Sequence, residues 1–163
     1  MKGSRHFSWQ RLVQQAEGLL SVSTNRVSNA ANLSALLYQE LPDISWVGFY
    51  FRDGETLMIG PFQGKPACVS IGMGNGVCGT AAASGKTIRV DDVDTFDGHI
   101  ACDVEARSEV VVPLFSRGEL IGVLDVDSTR LKRFGKDDVA GLEAVAGVYL
   151  SSLRSVKSGR LLD

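Results

Sequence analysis

Residues 45–60 read SWVGFYFRDGETLMIG, and this stretch decides the fold. Two apolar halves flank Asp53-Gly54, a dipeptide typical of tight hairpin turns. Because successive side chains of a strand point to opposite faces, the first half has one wholly apolar face and one mixed face. We expect the apolar face to pack on helices and the mixed face, which has polar groups and a gap, to line a pocket. The apolar face carries Val47, Phe49 and Phe51, and the mixed face carries Trp46, Gly48 and Tyr50.

Helical periodicity frames this hairpin at both ends of the chain. Two helical segments precede it, and Pro42 ends the second. Short strands at ACVSI and TIRVDD and long strands at EVVVPLF and ELIGVLDVD follow it. We predict one domain over residues 1–163, with N-terminal helices in 1–42, a sheet with a long polar loop in 45–130, and a C-terminal helix in 136–156. This order predicts an α+β fold, an antiparallel sheet with helices packed on one face and a ligand pocket on the other.

The overall composition excludes several classes of protein. A chain of 163 residues with 44% hydrophobic and 22% charged residues is typical of one soluble globular domain. A formal charge of −2 gives no reason to expect nucleic acid, and no apolar run has membrane-spanning length. The first residues lack the apolar segment of a signal peptide, and an odd number of cysteines argues against a secreted disulfide framework. We therefore expect a cytoplasmic protein without nucleic-acid or membrane partners.

Residues 74–79, GNGVCG, imitate the glycine fingerprint of dinucleotide-binding folds. The motif follows a strand and opens a helix, and Asp91 and Asp92 end the next strand. The helix is only about two turns long, however, and a βαβ crossover needs a dozen residues or more. We therefore interpret the motif as a glycine-rich turn at the edge of the sheet.

The segment GHIACD, residues 98–103, places a cysteine among acids. Negative neighbours disfavour the thiolate, which is the reactive form of cysteine. Cys102 is therefore an inert thiol, a metal ligand, or a nucleophile whose acidic neighbours serve another purpose. The spacing of the cysteines is wider than the short knuckle of structural zinc sites, and Cys78 on an apolar helix suits a buried thiol. A zinc site would have to combine Cys68, Cys78, Cys102 and His99.

Acidic residues mark the ends of the two long strands. Alternation in IGVLDVDS puts Asp125 and Asp127 on one face, and Glu109 opens EVVVPLF. A single acid at a strand end is usually solvated. Three acids beside one long loop instead predict a site for a cationic group, such as the ammonium of a free amino acid. Such a guest would weaken the repulsion between the acids and a thiolate at Cys102, with His99 as a further counter-charge or proton carrier.

Five motifs in order resemble one enzyme family. They are GPFQGKPAC, GVCG, GHIACD, SEVVVP and GVLDVDS, within a match that extends from about Trp46 to the final helix. Together they resemble the free methionine-(R)-sulfoxide reductases, a family of GAF-domain enzymes. The resemblance implies a single GAF-like domain whose six-stranded antiparallel sheet encloses free methionine sulfoxide. It also implies thioredoxin as the reductant, and the chemistry needs no metal and no organic cofactor.

The resemblance assigns roles to the three cysteines. Cys102 would be the thiol that attacks the sulfoxide sulfur and becomes a sulfenic acid. Cys68 would be its partner in the disulfide that follows. Cys78 would be an auxiliary or alternative resolving thiol.

The resemblance also assigns a substrate site. Trp46 and Tyr50 resemble its aromatic wall. Glu109, Asp125 and Asp127 resemble the acids that hold the ammonium and assist at the sulfoxide oxygen. The alternatives are a non-catalytic GAF module that senses a small ligand and a zinc-stabilised interaction domain, because one fold hosts many functions. The oligomeric state stays open, with the terminal helices offering a seam for a homodimer.

Overall fold

The computed structural model describes residues 6–154, and within them one antiparallel sheet carries four α-helices. The elements are, in chain order, α1 (Trp9–Leu20), α2 (Arg26–Glu40), β1 (Trp46–Asp53), β2 (Thr56–Gln63), β3 (Ser70–Gly72), α3 (Gly76–Ser84), β4 (Ile88–Val90), a 3₁₀ turn (Val93–Thr95), β5 (Ser108–Ser116), β6 (Glu119–Ser128) and α4 (Lys136–Ser152). The six strands lie in the order β3-β2-β1-β6-β5-β4, and every neighbouring pair is antiparallel. The predicted α+β class and six-stranded sheet are confirmed.

Side-chain capping begins the first two helices. Ser8 Oγ accepts from the Arg11 N–H at 3.4 Å, and Asn25 Oδ1 accepts from the second and third backbone N–H groups of α2 at 3.0 Å. These bonds satisfy donors that a helix leaves free at its start. At the other end, α2 stops at Glu40, two residues before Pro42, as the sequence predicts.

The two faces of β1 enter different apolar layers, as the alternation predicts. Val47, Phe49 and Phe51 pack with α1, α2 and α4 in the larger layer. Trp46 and Tyr50 face the smaller layer, together with α3. Helix α3 therefore lies on the pocket face, unlike the other three helices, which refines the prediction that helices occupy one face. Its apolar residues point all round the helix, so both of its sides require burial; the buried ones are Val77, Cys78, Ala81 and Ala82.

Close packing explains the glycines of the GNGVCG motif. A Cβ at Gly79 would lie 2.4 Å from the carbonyl oxygen of Gly72, so α3 can approach β3 this closely only with glycine there. Gly74 and Gly76 have positive φ values of 82° and 60°, which L-residues rarely adopt. The motif is thus the turn that seats α3 against the sheet, and the helix continues into an antiparallel strand rather than a βαβ unit.

Some predicted boundaries shift. The hairpin loop is Gly54-Glu55 rather than Asp53-Gly54, because Asp53 pairs with Thr56 and Gly54 takes the positive φ of the first loop position. The strands predicted at 67–71 and 87–92 shorten to β3 and β4, since only three residues of each find a partner strand.

The C-terminal helix ends at Ser152, before the predicted Val156, which lies outside the described residues. Ser152 Oγ donates to the Tyr149 carbonyl at 2.6 Å and so satisfies a carbonyl of the last turn. Within residues 6–154, no helix has the length and the apolar character needed to cross a lipid bilayer.

Candidate active site

A small cavity of about 30 Å³ lies between the sheet, α3 and the long loop that joins β4 to β5. The sheet supplies four of its polar side chains, α3 supplies a thiol, and the loop supplies an imidazole and a disulfide sulfur. These seven residues are Tyr50, Cys78, His99, Cys102, Glu109, Asp125 and Asp127. Six of the eight predicted site residues therefore line one cavity.

Strand register brings the three acids together. Glu109 on β5 pairs directly with Asp127 on β6, and Asp125 lies two residues before Asp127 on the same face. Side chains of directly opposed residues on paired strands lie side by side. Each of the three residues is at least nine-tenths buried. The sheet thus gathers three carboxyl groups on the floor of the cavity.

Burial makes these acids hold their protons. Burial raises the pKa of Glu109 to about 7, although the hydrogen bond from the Cys78 thiol acts in the opposite direction. Burial and the charges of Asp127 and Glu109 raise the pKa of Asp125, and burial and the charge of Glu109 raise the pKa of Asp127. None of the ion pairs found within residues 6–154 includes any of the three acids. The cluster can therefore donate a proton and can also attract a cationic guest.

Cys78 lies beneath the cavity as a buried thiol. Its Sγ donates a hydrogen bond to Glu109 Oε1 at 3.8 Å. Burial raises the pKa of the Cys78 thiol, and the charge of Asp125 adds to the effect. A thiol held in this way is protonated at neutral pH and is a poor nucleophile.

The other two cysteines form a disulfide at the edge of the cavity. Cys68 and Cys102 are bonded, with a Cα–Cα distance of 5.2 Å and a sequence separation of 34. Lys65 Nζ also forms an ion pair with Glu105 at 2.7 Å, so the segment after β2 and the long loop are joined twice. In this oxidised state neither sulfur is a thiolate, and the four-ligand zinc site considered from the sequence is not available.

The aromatic residues occupy two positions. Tyr50 lines the cavity, and its hydroxyl donates to the Cys68 carbonyl at 3.3 Å. Trp46 lies beside the cavity: its ring stacks on Tyr50 and Phe62 at centroid distances of 5.9 and 5.2 Å, and its Nε1 donates to the Lys65 carbonyl. The gap predicted at Gly48 is filled, because a Cβ there would lie 2.9 Å from the Trp46 ring.

Phe62 is the aromatic residue that sequence reasoning missed. It lies opposite Gly48 because a one-residue bulge between Gly48 and Tyr50 shifts the register of the hairpin. Counting outward from the turn pairs Gly48 with Pro61 instead. The hairpin pattern therefore predicts the partner of Gly48 to within one residue, and the bulge accounts for the difference.

Comparison with known proteins places this chain in a family. A GAF domain model matches residues 31–151. A relative in Escherichia coli named free methionine-R-sulfoxide reductase is 52% identical over 124 residues, which cover 76% of this chain and 75% of the relative. The chain belongs to the free methionine-R-sulfoxide reductase family.

Other members of the free methionine-R-sulfoxide reductase family match at similar levels. A Saccharomyces cerevisiae member is 44% identical over 145 residues, which cover 84% of this chain and 81% of that relative. The X-ray structure of the Neisseria meningitidis member in complex with its substrate is 41% identical with a TM-score of 0.87, covering 92% of this chain and 95% of that chain. The GAF fold of this reductase family is therefore shared along most of the chain.

Proposed function

We propose that this protein reduces free methionine-(R)-sulfoxide to methionine. The observation that carries the proposal is the Cys68–Cys102 disulfide at the edge of a cavity floored by three buried carboxyl groups. Reduction of a sulfoxide requires a nucleophile at sulfur and a proton for the departing oxygen, and this arrangement offers both. The names of the relatives in Escherichia coli and Saccharomyces cerevisiae support the choice of substrate.

In the proposed reaction, the reduced Cys102 attacks the sulfur of the substrate. The sulfur–oxygen bond of the substrate breaks, methionine leaves, and the oxygen remains on Cys102 as a sulfenic acid. The Cys68 thiol then condenses with the sulfenic acid, releasing water and forming the disulfide. An external dithiol, for which we propose thioredoxin, reduces that disulfide by exchange, which places the protein in a reducing compartment such as the cytoplasm.

The acids divide two tasks between them. Glu109 or Asp127 supplies the proton that the oxygen needs, because burial keeps these carboxyl groups protonated to a higher pH than usual. Asp125 and the remaining acid bind the ammonium of the substrate. The positive charge of the substrate then offsets the repulsion that these carboxylates exert on a thiolate at Cys102. Tyr50 forms a wall of the site, with Trp46 stacked beside it.

A comparison of three substrates tests the function. Fully reduced protein is incubated with free methionine-(R)-sulfoxide, with the free S epimer and with peptide-bound sulfoxide, and methionine formation is measured by chromatography. We expect conversion of the first alone and no conversion by Cys102→Ser. Binding of the free sulfoxide without any conversion would instead identify a sensor module and overturn the proposal.

A further inference from the structure

The floor of the cavity contains the donor atoms of a metal site. The Sγ of Cys78 and one carboxylate oxygen each from Glu109 and Asp125 lie within 4.8 Å of one another, and all three residues are buried. A thiolate with two carboxylates suits a borderline ion such as Zn²⁺, whereas Mg²⁺ and Ca²⁺ prefer oxygen ligands alone.

A second, independent observation points to a ligand at this place. Asp125 Oδ1 is fully buried and has no hydrogen-bond partner, and Asp125 lines the cavity. A buried carboxylate oxygen without a hydrogen-bond partner is energetically costly, so native structures rarely contain one unless a ligand or ion binds to it. The donor set is therefore incomplete as it stands.

The size of the cavity favours an ion over the amino acid in the disulfide state. A volume of about 30 Å³ holds one or two water molecules, which suffices for a cation that keeps one water ligand. The charge is also suitable, since four acids, Asp103 among them, line this space and none of them pairs with a Lys or Arg within residues 6–154.

We propose that the oxidised protein binds one thiophilic divalent cation, Zn²⁺ in particular, through Cys78, Glu109 and Asp125. A zinc–sulfur bond and a zinc–oxygen bond to each carboxylate form, the protons held by the thiol and by the two carboxyl groups pass to solvent, and water completes the coordination. The ion takes the place that the proposed function gives to the substrate ammonium. The site is therefore inhibitory rather than a cofactor site, and only this last step rests on the proposed function.

The disulfide makes the thiolate ligand easy to identify. With Cys68 and Cys102 bonded to each other, Cys78 is the one remaining thiol. Oxidised protein titrated with Co²⁺ should develop a thiolate-to-cobalt charge-transfer band that saturates at one ion per chain and disappears when Zn²⁺ is added. The band should be absent from oxidised Cys78→Ser. Its absence from the wild type, or its survival in Cys78→Ser, would overturn the proposal.

A matched pair of variants tests the carboxylates. Asp125→Asn removes a proposed ligand, whereas Asp94→Asn removes an exposed carboxylate from the nearby loop. By calorimetry with Zn²⁺, we expect the first to weaken binding at least about tenfold, as even loss of outer-shell partners does, and the second to leave it unchanged. Equal affinities in the two variants contradict the assignment.

X-ray absorption of the wild-type zinc complex gives a readout that needs no variant. One sulfur at about 2.3 Å with the other ligands oxygen at about 2.0–2.2 Å is expected, and a shell without sulfur overturns the site. These measurements use no turnover, so a failure to bind zinc leaves the reductase proposal standing. Failure to reduce the sulfoxide, in turn, leaves the metal site standing.

Discussion

At the scale of single residues, the buried carboxyl groups control the response to pH. Burial raises the pKa of Glu109 from 4.5 to about 7. Between these values the folded protein holds a proton that the unfolded chain releases, so the free energy of unfolding falls as the pH rises. The contribution of protonated Glu109 to the free energy of unfolding is fully present below about pH 4.5 and is lost as the pH rises through about 7. It amounts to about 3 kcal/mol at most.

Urea unfolding at pH 5 and pH 7.5 measures this effect. We expect wild-type protein to lose stability over this interval and Glu109→Gln to lose less, because an amide does not titrate. Glu119→Gln, which changes an exposed acid at the start of β6, should behave as wild type. Equal losses in wild type and Glu109→Gln would contradict the role given to burial.

The acids that are proposed to bind the ammonium make a second prediction at this scale. Asp125→Asn removes a charged hydrogen-bond partner of the substrate, which is worth about 1.5–3 kcal/mol, and Asp127→Asn does the same when Glu109 is the proton donor. We therefore expect KM to rise roughly 10- to 100-fold, with a smaller change in kcat, in steady-state assays of the free sulfoxide. Asp94→Asn is the control for loss of one negative charge. Unchanged KM and kcat in both variants would refute the binding role.

At the scale of elements, the position of α3 depends on a single close contact. A Cβ at Gly79 would lie 2.4 Å from the backbone oxygen of Gly72, and neither backbone can move without separating α3 from β3. Gly79→Ala should therefore lower the free energy of unfolding by about 1–3 kcal/mol. Gly147 is exposed on α4, and a Cβ there would contact nothing within 4 Å. Gly147→Ala should therefore raise the free energy of unfolding by about 0.5–1 kcal/mol.

Chemical denaturation of the two glycine variants against wild type provides the measurement. Both changes add one methyl group to a helix. Opposite signs of the change in the free energy of unfolding would therefore isolate the effect of the close contact between α3 and β3. The same direction of change in both variants would show that helix propensity, not the approach of α3 to β3, determines the outcome.

Local patterns predicted the elements better than their arrangement. Alternation depends on neighbouring residues, so the sequence alone predicted that Tyr50, Asp125 and Asp127 face the cavity, although Trp46 of the same face lies beside it. The bulge that sets Phe62 against Gly48 and the path of α3 across the sheet depend on distant partners. Since β3 and β4 lie at opposite edges of the sheet, a helix that joins them has to cross its face, and no local pattern encodes that strand order.

At the scale of the whole molecule, the disulfide couples the redox state to stability. The Cys68–Cys102 bond joins residues 34 positions apart in sequence and closes a loop that contains β3, α3 and β4. Cross-linking a loop of this length restricts the unfolded chain and typically stabilises a protein by about 2–4 kcal/mol. We expect reduction of the disulfide to lower the free energy of unfolding by that amount. We also expect it to loosen the loop over the cavity, because the cavity of the oxidised protein is smaller than an amino acid.

Urea unfolding with and without a phosphine reductant tests this coupling. Cys68→Ser cannot form the bond, so the reductant should not change its stability. Equal stability of oxidised and reduced wild-type protein would show that the disulfide does not restrain the fold.

The candidate site was predicted from the sequence to the extent that it depends on types of side chain. The acids and cysteines carry their own chemistry, and the family resemblance ordered them. The position of Trp46 behind Tyr50, and the pairing of the Cys78 thiol with Glu109, follow from three-dimensional packing that composition does not encode.

The central claim is that Cys102 takes the oxygen of the sulfoxide and that Cys68 resolves it. Reduced Cys68→Ser protein is mixed with excess free methionine-(R)-sulfoxide and thioredoxin, and the products are analysed by chromatography and peptide mass spectrometry. We expect about one methionine per chain and one added oxygen on the Cys102 peptide, because the resolving thiol is missing and the buried Cys78 thiol, bonded to Glu109, is a poor nucleophile. Continuous turnover of this variant, or oxygen found on another cysteine, would contradict it.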